Sequence, residues 1–311
     1  MQSSTESPRK LFIESSSFYR NCKAEDPFSS MRIDDSSFLD SIPTRGTCPA
    51  CKRSRKYYCY TCYIPVKEVS ERLPKVSLPV KIDIIKHPKE VDGKSTSAHA
   101  AVLAPDDVKI YNYPDFPSYE NEKVLLIFPG KSAVPFQEWW DQQIHPHEYH
   151  CETKSNKNLC SSFGLLNHEE TNPNHQNTSV PCSDQNDSCD RLSFKEVEKS
   201  LCLQFSKVIF IDCTWRQSKA MYSDPRLRSL PCVVLSSYIS LFWRPQRGKP
   251  DTYLATIEAV YYFLRELDSL MYPSEVYSGE FDNLLFFFKF WYFKLRSVYD
   301  VSIAEKCLLS K

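Results

Sequence analysis

The stretch Val208-Ile209-Phe210-Ile211-Asp212 constrains the fold of this chain more than any other. Four apolar residues, rich in β-branched side chains and without polar alternation, predict a strand buried on both faces, as in a parallel sheet covered by helices. Asp212 ends the run. A carboxylate at the carboxyl end of a central parallel strand stands where open α/β sheets place their ligand crevice, so Asp212 is a candidate for chemistry or binding. Thr214, Trp215, Arg216 and Lys219 follow on the next turn. A plainer reading stays open: Asp212 or Thr214 caps a helix and Trp215 fills a core, since Asp and Thr are ordinary N-caps.

Further segments agree with an α/β class. Val124 to Phe128 is a second fully apolar run, Leu78 to Ile85 alternates as a strand, and Pro231 to Leu235 reads as another buried strand. Leu254, Ile257, Tyr261, Leu264 and Leu267 recur at the spacing of one helical face. The aromatic run from Leu284 to Lys294 is too short and too interrupted by lysine for a membrane span. It reads as a helix covering the sheet, with an aromatic interaction surface as the alternative. Gly130-Lys131-Ser132 suggests a phosphate loop, but residue 125 is Leu where that pattern needs its first glycine. The six glycines (Gly46, Gly93, Gly130, Gly164, Gly248, Gly279) never form the Gly-rich turn of a dinucleotide-binding fold.

Residues 1–44, rich in Ser, Asp and Glu with scattered Phe, show no sustained period and read as disordered. A compact unit is expected at 45–66, where Cys48, Cys51, Cys59 and Cys62 form two Cys-x-x-Cys pairs. Each pair can bend into a knuckle that presents two thiolates to one tetrahedral Zn²⁺; two redox pairs or unligated thiols are the alternatives. The start of the chain lacks the charged-then-apolar pattern of a signal peptide, so the thirteen cysteines suit a reducing compartment rather than a disulfide framework. Between the pairs, Lys52-Arg53-Ser54-Arg55-Lys56 is a basic loop that can touch RNA, serve as a nuclear import signal, or be a solvated turn. The nucleus is the expected location, with the cytoplasm second. Residues 145–192 are polar and hold five of the seven histidines, which reads as a disordered insertion.

Net charge is zero overall, but residues 207–249 carry eight basic residues against Asp212 and Asp224, a local excess of six. Such an excess around the candidate site implies a polyanionic partner; a set of solvated surface charges is the bland alternative.

Asp212-Cys213-Thr214-Trp215 resembles the Asp-x-Thr-Trp signature of the DTW-domain family of tRNA-uridine aminocarboxypropyltransferases. Arg244-Pro245-Gln246 with Leu254-Ala255-Thr256-Ile257-Glu258-Ala259 resembles its second signature, Phe128-Pro129 with Ala133 its upstream loop, and His87-Pro88-Lys89-Glu90 with Lys94-Ser95-Thr96 the segment after its first strand. The resemblance implies a SPOUT-like, trefoil-knotted α/β fold with a catalytic domain at 75–300. It also implies transfer of the aminocarboxypropyl group of S-adenosylmethionine to N3 of a tRNA loop uridine, the D-loop favoured, with release of methylthioadenosine. Asp212, Thr214 and Trp215 are then the expected catalytic residues. Phe128, Pro129, Arg244, Pro245, Thr256 and Glu258 are expected at the donor, and Arg216, Lys219, Arg226 and Arg228 at the RNA. N3 of uracil carries a proton, so the reaction needs a base, for which Asp212 is the candidate; a purely electrostatic role facing the sulfonium is the second choice. Where the family carries serine this chain has Ala255, which predicts that Thr256 caps the helix one residue later. A knotted RNA methyltransferase and a non-catalytic zinc and RNA-binding module are the competing classes.

Overall fold

The computed structural model describes residues 26–144, 205–243 and 250–309. The predicted insertion at 145–192, the first 25 residues, and Arg244 and Pro245 lie outside the described residues. The cysteine region forms two antiparallel hairpins, β1 (Gly46–Thr47) with β2 (Ser54–Arg55) and β3 (Tyr58–Cys59) with β4 (Ile64–Pro65), followed by helix α1 (Lys67–Ser70). Then come β5 (Lys81–Lys86), α2 (Ser97–Leu103), β6 (Val108–Asn112), β7 (Val124–Ile127), β8 (Val134–Pro135) and α3 (Phe136–Ile144). The second half holds β9 (Lys207–Asp212), α4 (Trp215–Tyr222), α5 (Pro225–Arg228), β10 (Cys232–Val234), α6 (Thr256–Met271) and α7 (Phe286–Leu309).

Strands β5 to β10 make one sheet in the order β6-β5-β9-β7-β10-β8, and every pairing is parallel. The expected parallel sheet covered by helices is therefore present. The chain inserts β9 between β5 and β7 and later β10 between β7 and β8.

Side chains on successive strand residues point to opposite faces, so a continuous apolar strand serves two cores. Val208 and Phe210 join Ile82, Ile84 and Leu125 on the face covered by α2 and α6. Ile209 joins Ile85 and Leu126 on the other face, with Met221 of α4 and Leu227 of α5. This is why β9 shows no polar alternation. Phe210 is buried against Phe263 of α6, and truncating it to Ala would cost about 3–5 kcal/mol.

The strand expected from Leu78 starts instead at Lys81. Leu78 gives its N–H to the Asp107 carboxylate at 2.8 Å, and Pro79 has no N–H to give to a ladder.

The N-terminal expectation needs a larger correction. Residues 26–44 are packed rather than disordered: Phe28 is fully buried, edge-on to Phe288 and Tyr292 of α7. Arg32 and Asp34 give backbone N–H groups to Asp282 (2.7 Å) and Asn283 (2.8 Å). Scattered phenylalanines without a period are what a strap across a helix requires, because each fills its own hole. The cysteine unit is not separate from the sheet either, since Tyr57 and Val66 share the core of Ile82 and Phe290. Helix α7 covers this core with Phe286, Phe287, Phe288 and Phe290, as the covering-helix reading expects.

Candidate functional site

The carboxyl end of β9 brings together segments far apart in sequence. Asp212 lies on the α2 and α6 face, in register with Lys86 at the end of β5, and is 5% exposed. Its Oδ2 accepts from the hydroxyls of Ser95 (2.6 Å) and Ser97 (2.9 Å), and its Oδ1 accepts from Thr256 Oγ1 (2.7 Å). Ser95 and Ser97 hydroxyls are themselves 2.6 Å apart. Ser97 is buried, while Ser95 and Thr256 are half-buried, so the Oδ2 side opens towards solvent through Ser95. Thr256 and Asp212, expected in one site from separate motifs, are thus in direct contact.

This contact corrects the expected cap. Helix α6 has Ala255 as N-cap in extended geometry, and the Thr256 hydroxyl goes to Asp212. The cap that Ala255 lacks comes from elsewhere: Thr96 Oγ1 accepts from the N–H of Ile257 at 3.2 Å. Glu258 supplies the reciprocal half, accepting from the N–H of Ala255 at 2.7 Å. Its oxygens also accept from Ser240 Oγ and the N–H of Leu241, each at 2.7 Å. Burial raises Glu258 to about 7, against the pull of these donors. Glu258 therefore holds the loop that leads from β10 towards α6.

Thr214 is the N-cap of α4, with Gln217 Oε1 accepting from its N–H (2.9 Å) and its hydroxyl (2.7 Å). Thr214 therefore stands at the N-cap position with its hydroxyl turned to Gln217. Trp215 is half-buried and packs on Tyr253 with ring centroids 4.1 Å apart. Cys213 is an unreactive thiol, pushed up to about 12 by burial and then by Asp212 and Glu90. Arg216 and Lys219 are exposed on α4 and Arg228 on α5. Arg226 is not part of that exposed set. Its guanidinium bonds Asp224 and the carbonyls of Pro114 and Phe116, and lies 3.7 Å over the Phe116 ring. Phe128 follows β7 and packs on Tyr222 at 4.8 Å, with Pro129 exposed beside it. An added Cβ at Gly130 would stand 2.7 Å from the Tyr222 hydroxyl oxygen, so a side chain there must push that ring aside.

Lys86 was not visible from the sequence as a site residue. Its side chain is 7% exposed and paired with Asp92. Burial works against its charge, but Asp92, Tyr63 and Asp212 together hold it above the ordinary lysine value. The only hint was a lysine directly after Ile84 and Ile85 at the end of the strand.

The four cysteine sulfurs lie within 4.8 Å of one another, and Cys51 and Cys59 sulfurs are 3.6 Å apart. A tetrahedral Zn²⁺ with Zn–S bonds of about 2.3 Å needs S···S edges of about 3.8 Å, so the residues fit this ion. The two knuckles repeat one geometry. Lys52 and Tyr63, each the residue after the second cysteine of its pair, have φ of 60° and 58°. Each gives its N–H to the carbonyl of the pair's first cysteine, at 3.0 Å and 2.7 Å. Burial opposes a thiolate at Cys59, but the N–H groups of Thr61 and Cys62, Arg55 Nε at 3.3 Å and Cys51 bring it down to about 6. The basic loop is largely consumed by structure. Arg55 is buried against Cys59, and Lys56 bonds the carbonyls of Ile42 and Pro43.

Comparison with known proteins adds a family to this geometry. The DTW domain matches residues 56–296. A Xenopus laevis protein named tRNA-uridine aminocarboxypropyltransferase 1 is 39% identical over 284 residues, covering 89% of this chain and 90% of its own. Proteins of the same name from Mus musculus (39% identical, 86% and 84% covered) and Homo sapiens (37%, 94% and 91%) are also similar. No solved structure matches the chain.

Proposed function

We propose that this chain, which belongs to the DTW domain family, carries out the reaction in its relatives' name, moving an aminocarboxypropyl group from S-adenosylmethionine to N3 of a tRNA loop uridine, the D-loop favoured. It is a transferase. The observation that carries the reading is the meeting of three motif segments on one carboxylate, Asp212, through Ser95, Ser97 and Thr256.

In the proposed step the N3–Cγ bond forms as the Cγ–sulfur bond breaks, and methylthioadenosine leaves as a neutral thioether. The proton of N3 must go to a base. Asp212 is that base, and because it is only 5% exposed, the half-buried Ser95 hydroxyl relays the transfer: its own proton passes to Oδ2 as its oxygen takes the proton of N3. N3 lies on the Watson–Crick edge, so the uridine must be unpaired or flipped out. The half-buried Trp215 ring, three residues after Asp212 and packed on Tyr253, is the aromatic surface offered to such a base.

Arg244, with Pro245 beside it, is the motif-matched choice for the donor's carboxylate, and Phe128 and Pro129 for the donor's loop. Glu258 holds the Ser240 loop, which precedes Arg244 in sequence. Arg216, Lys219 and Arg228 take phosphates. Cys48, Cys51, Cys59 and Cys62 would hold one structural Zn²⁺, whose contribution is to fold stability. The trefoil knot is part of the proposal, supported by the insertion of β9 and β10 between earlier strands. Among the described residues no helix is long and apolar enough to cross a membrane. Nuclear residence rests on the exposed Lys52 and Arg53 of the cysteine unit, and microscopy of the tagged chain tests it.

The test is incubation of the purified protein with S-adenosylmethionine and unmodified tRNA, followed by mass spectrometry of the nucleosides. An aminocarboxypropyl adduct on uridine with release of methylthioadenosine is expected. A methyl adduct, or neither product, would overturn the proposal.

A further inference from the structure

The second cysteine knuckle lies against the loop that carries Ser95. Tyr63, in the left-handed position that closes the knuckle, lies near enough to Lys86 for the ammonium charge to act on its phenol. Thr61, between Cys59 and Cys62, gives its hydroxyl to Asp92 Oδ2 at 3.5 Å, and Asp92 Oδ1 takes the Lys86 ammonium. Tyr60 packs beside Gly93, 3.9 Å from where a Cβ would stand, and Arg55 spans the unit by covering the Tyr60 ring at 4.0 Å while bonding Cys59. Lys86 starts this loop, next to Asp212 in register, and Ser95 ends it on the Asp212 carboxylate. Both ends of one ten-residue loop are thus fixed at Asp212, and its middle is fixed by the knuckle.

We infer that the cysteine unit is a positioning device for the transfer site: the knuckle holds Asp92 and Lys86, and they set the place of Ser95 on Asp212. Lys86, Asp92, Thr61 and Tyr63 are positioning residues in this arrangement. The inference rests on the reading of Asp212 as the centre of transfer. A floppy ligand-binding loop would leave Ser95 in many places, and a displacement of about 1 Å at reacting groups costs up to about 10² in rate.

The experiment uses the full chain, zinc-loaded, carrying Thr61→Val and Tyr63→Phe together, with Lys86→Met and Lys86→Arg as separate variants. Three quantities are read: zinc content, hydrogen exchange of residues 87–97, and kcat and KM for tRNA. In the double variant zinc should stay bound, exchange in 87–97 should rise severalfold, and kcat should fall about tenfold with KM within about twofold. Lys86→Met should do the same, and Lys86→Arg should restore part of the loss because the charge on Asp92 returns. Unchanged exchange with zinc retained would overturn the inference, as would a looser loop at full kcat. If the double variant loses zinc, Lys86→Met, which touches no cysteine, decides by the same two readouts. Exchange needs no substrate, so a chain that transferred nothing would defeat the proposed function while the loop's tie to the knuckle was still read.

Discussion

Two buried aspartates on neighbouring strands are built in opposite ways. Asp83 sits inside β5, level with Ile209, on the α4 and α5 face. It accepts from the Tyr119 hydroxyl at 3.0 Å and faces Lys207 at 3.4 Å, which also pairs with Glu122 at 2.8 Å. Burial raises its pKa, with Lys207 and Tyr119 pulling the other way. Asp212 ends β9 on the opposite face, where its carboxylate bonds three hydroxyls and the neighbouring Lys86 ammonium, which feels its charge, gives its own bond to Asp92. Lys207 pairs with Asp83 directly, a structural ion pair, whereas Lys86 pairs with Asp92 and leaves the Asp212 oxygens to hydroxyls. Hydroxyls are both donors and acceptors and can reverse their bonds, so a carboxylate surrounded by them can take a proton without leaving a charge unpaired.

The largest expected effect is that of Asp212→Asn. The hydroxyls can turn to accept from the new amide, so the fold should hold, while transfer falls by about 10² or more. A variant that keeps its thermal midpoint but loses single-turnover rate would confirm the contrast with Asp83. Asp83→Asn should do the reverse. It removes a charged partner of Tyr119 and Lys207, costing about 1.5–3 kcal/mol of unfolding free energy in denaturant titration, with turnover per folded molecule near wild type.

A third buried group tests whether burial alone is the difference. His99, packed between Tyr58 and Phe287, is pushed down by burial to about 3. It stays neutral when folded and protonates near 6.5 when unfolded, so its stability is present above 6.5 and is lost as pH falls towards 3. The loss by pH 5 is about 2 kcal/mol. Glu258, raised to about 7, acts oppositely: its contribution is present below its ordinary 4.5 and is lost as pH rises through 7. Thermal melts from pH 7 to 5 should therefore show His99→Leu losing less stability than wild type; parallel curves would contradict this. The smallest effect is that of Arg216→Ala. Its exposed guanidinium should contribute a few-fold in tRNA affinity, shrinking as salt rises.

The strands were legible because both-face burial needs continuous apolar runs, as in Val208 to Ile211 and Val124 to Ile127. Asp212 was legible from its place after such a run, and the cysteine unit from its spacing. Of the hydroxyl partners, Thr256 was expected at the site through its motif, but the contacts of Ser95 and Ser97 with Asp212 were not legible. Ser95 and Ser97 lie more than a hundred residues from Asp212, and no local period encodes such a contact. The N-terminal strap was missed for the same reason, since Phe28 packs on α7 across the length of the chain. Asp83 looked like the polar member of an alternating strand, yet the Tyr119 hydroxyl and Lys207 let it be buried.

The most direct test of the proton path is a double-mutant cycle between Ser95→Ala and Asp212→Asn, read as single-turnover formation of aminocarboxypropyl-uridine with donor affinity measured separately. If the hydroxyl and the carboxylate act as one unit, Ser95→Ala should cost about tenfold in the wild-type background and almost nothing once Asp212 is Asn. Equal losses in both backgrounds would contradict it.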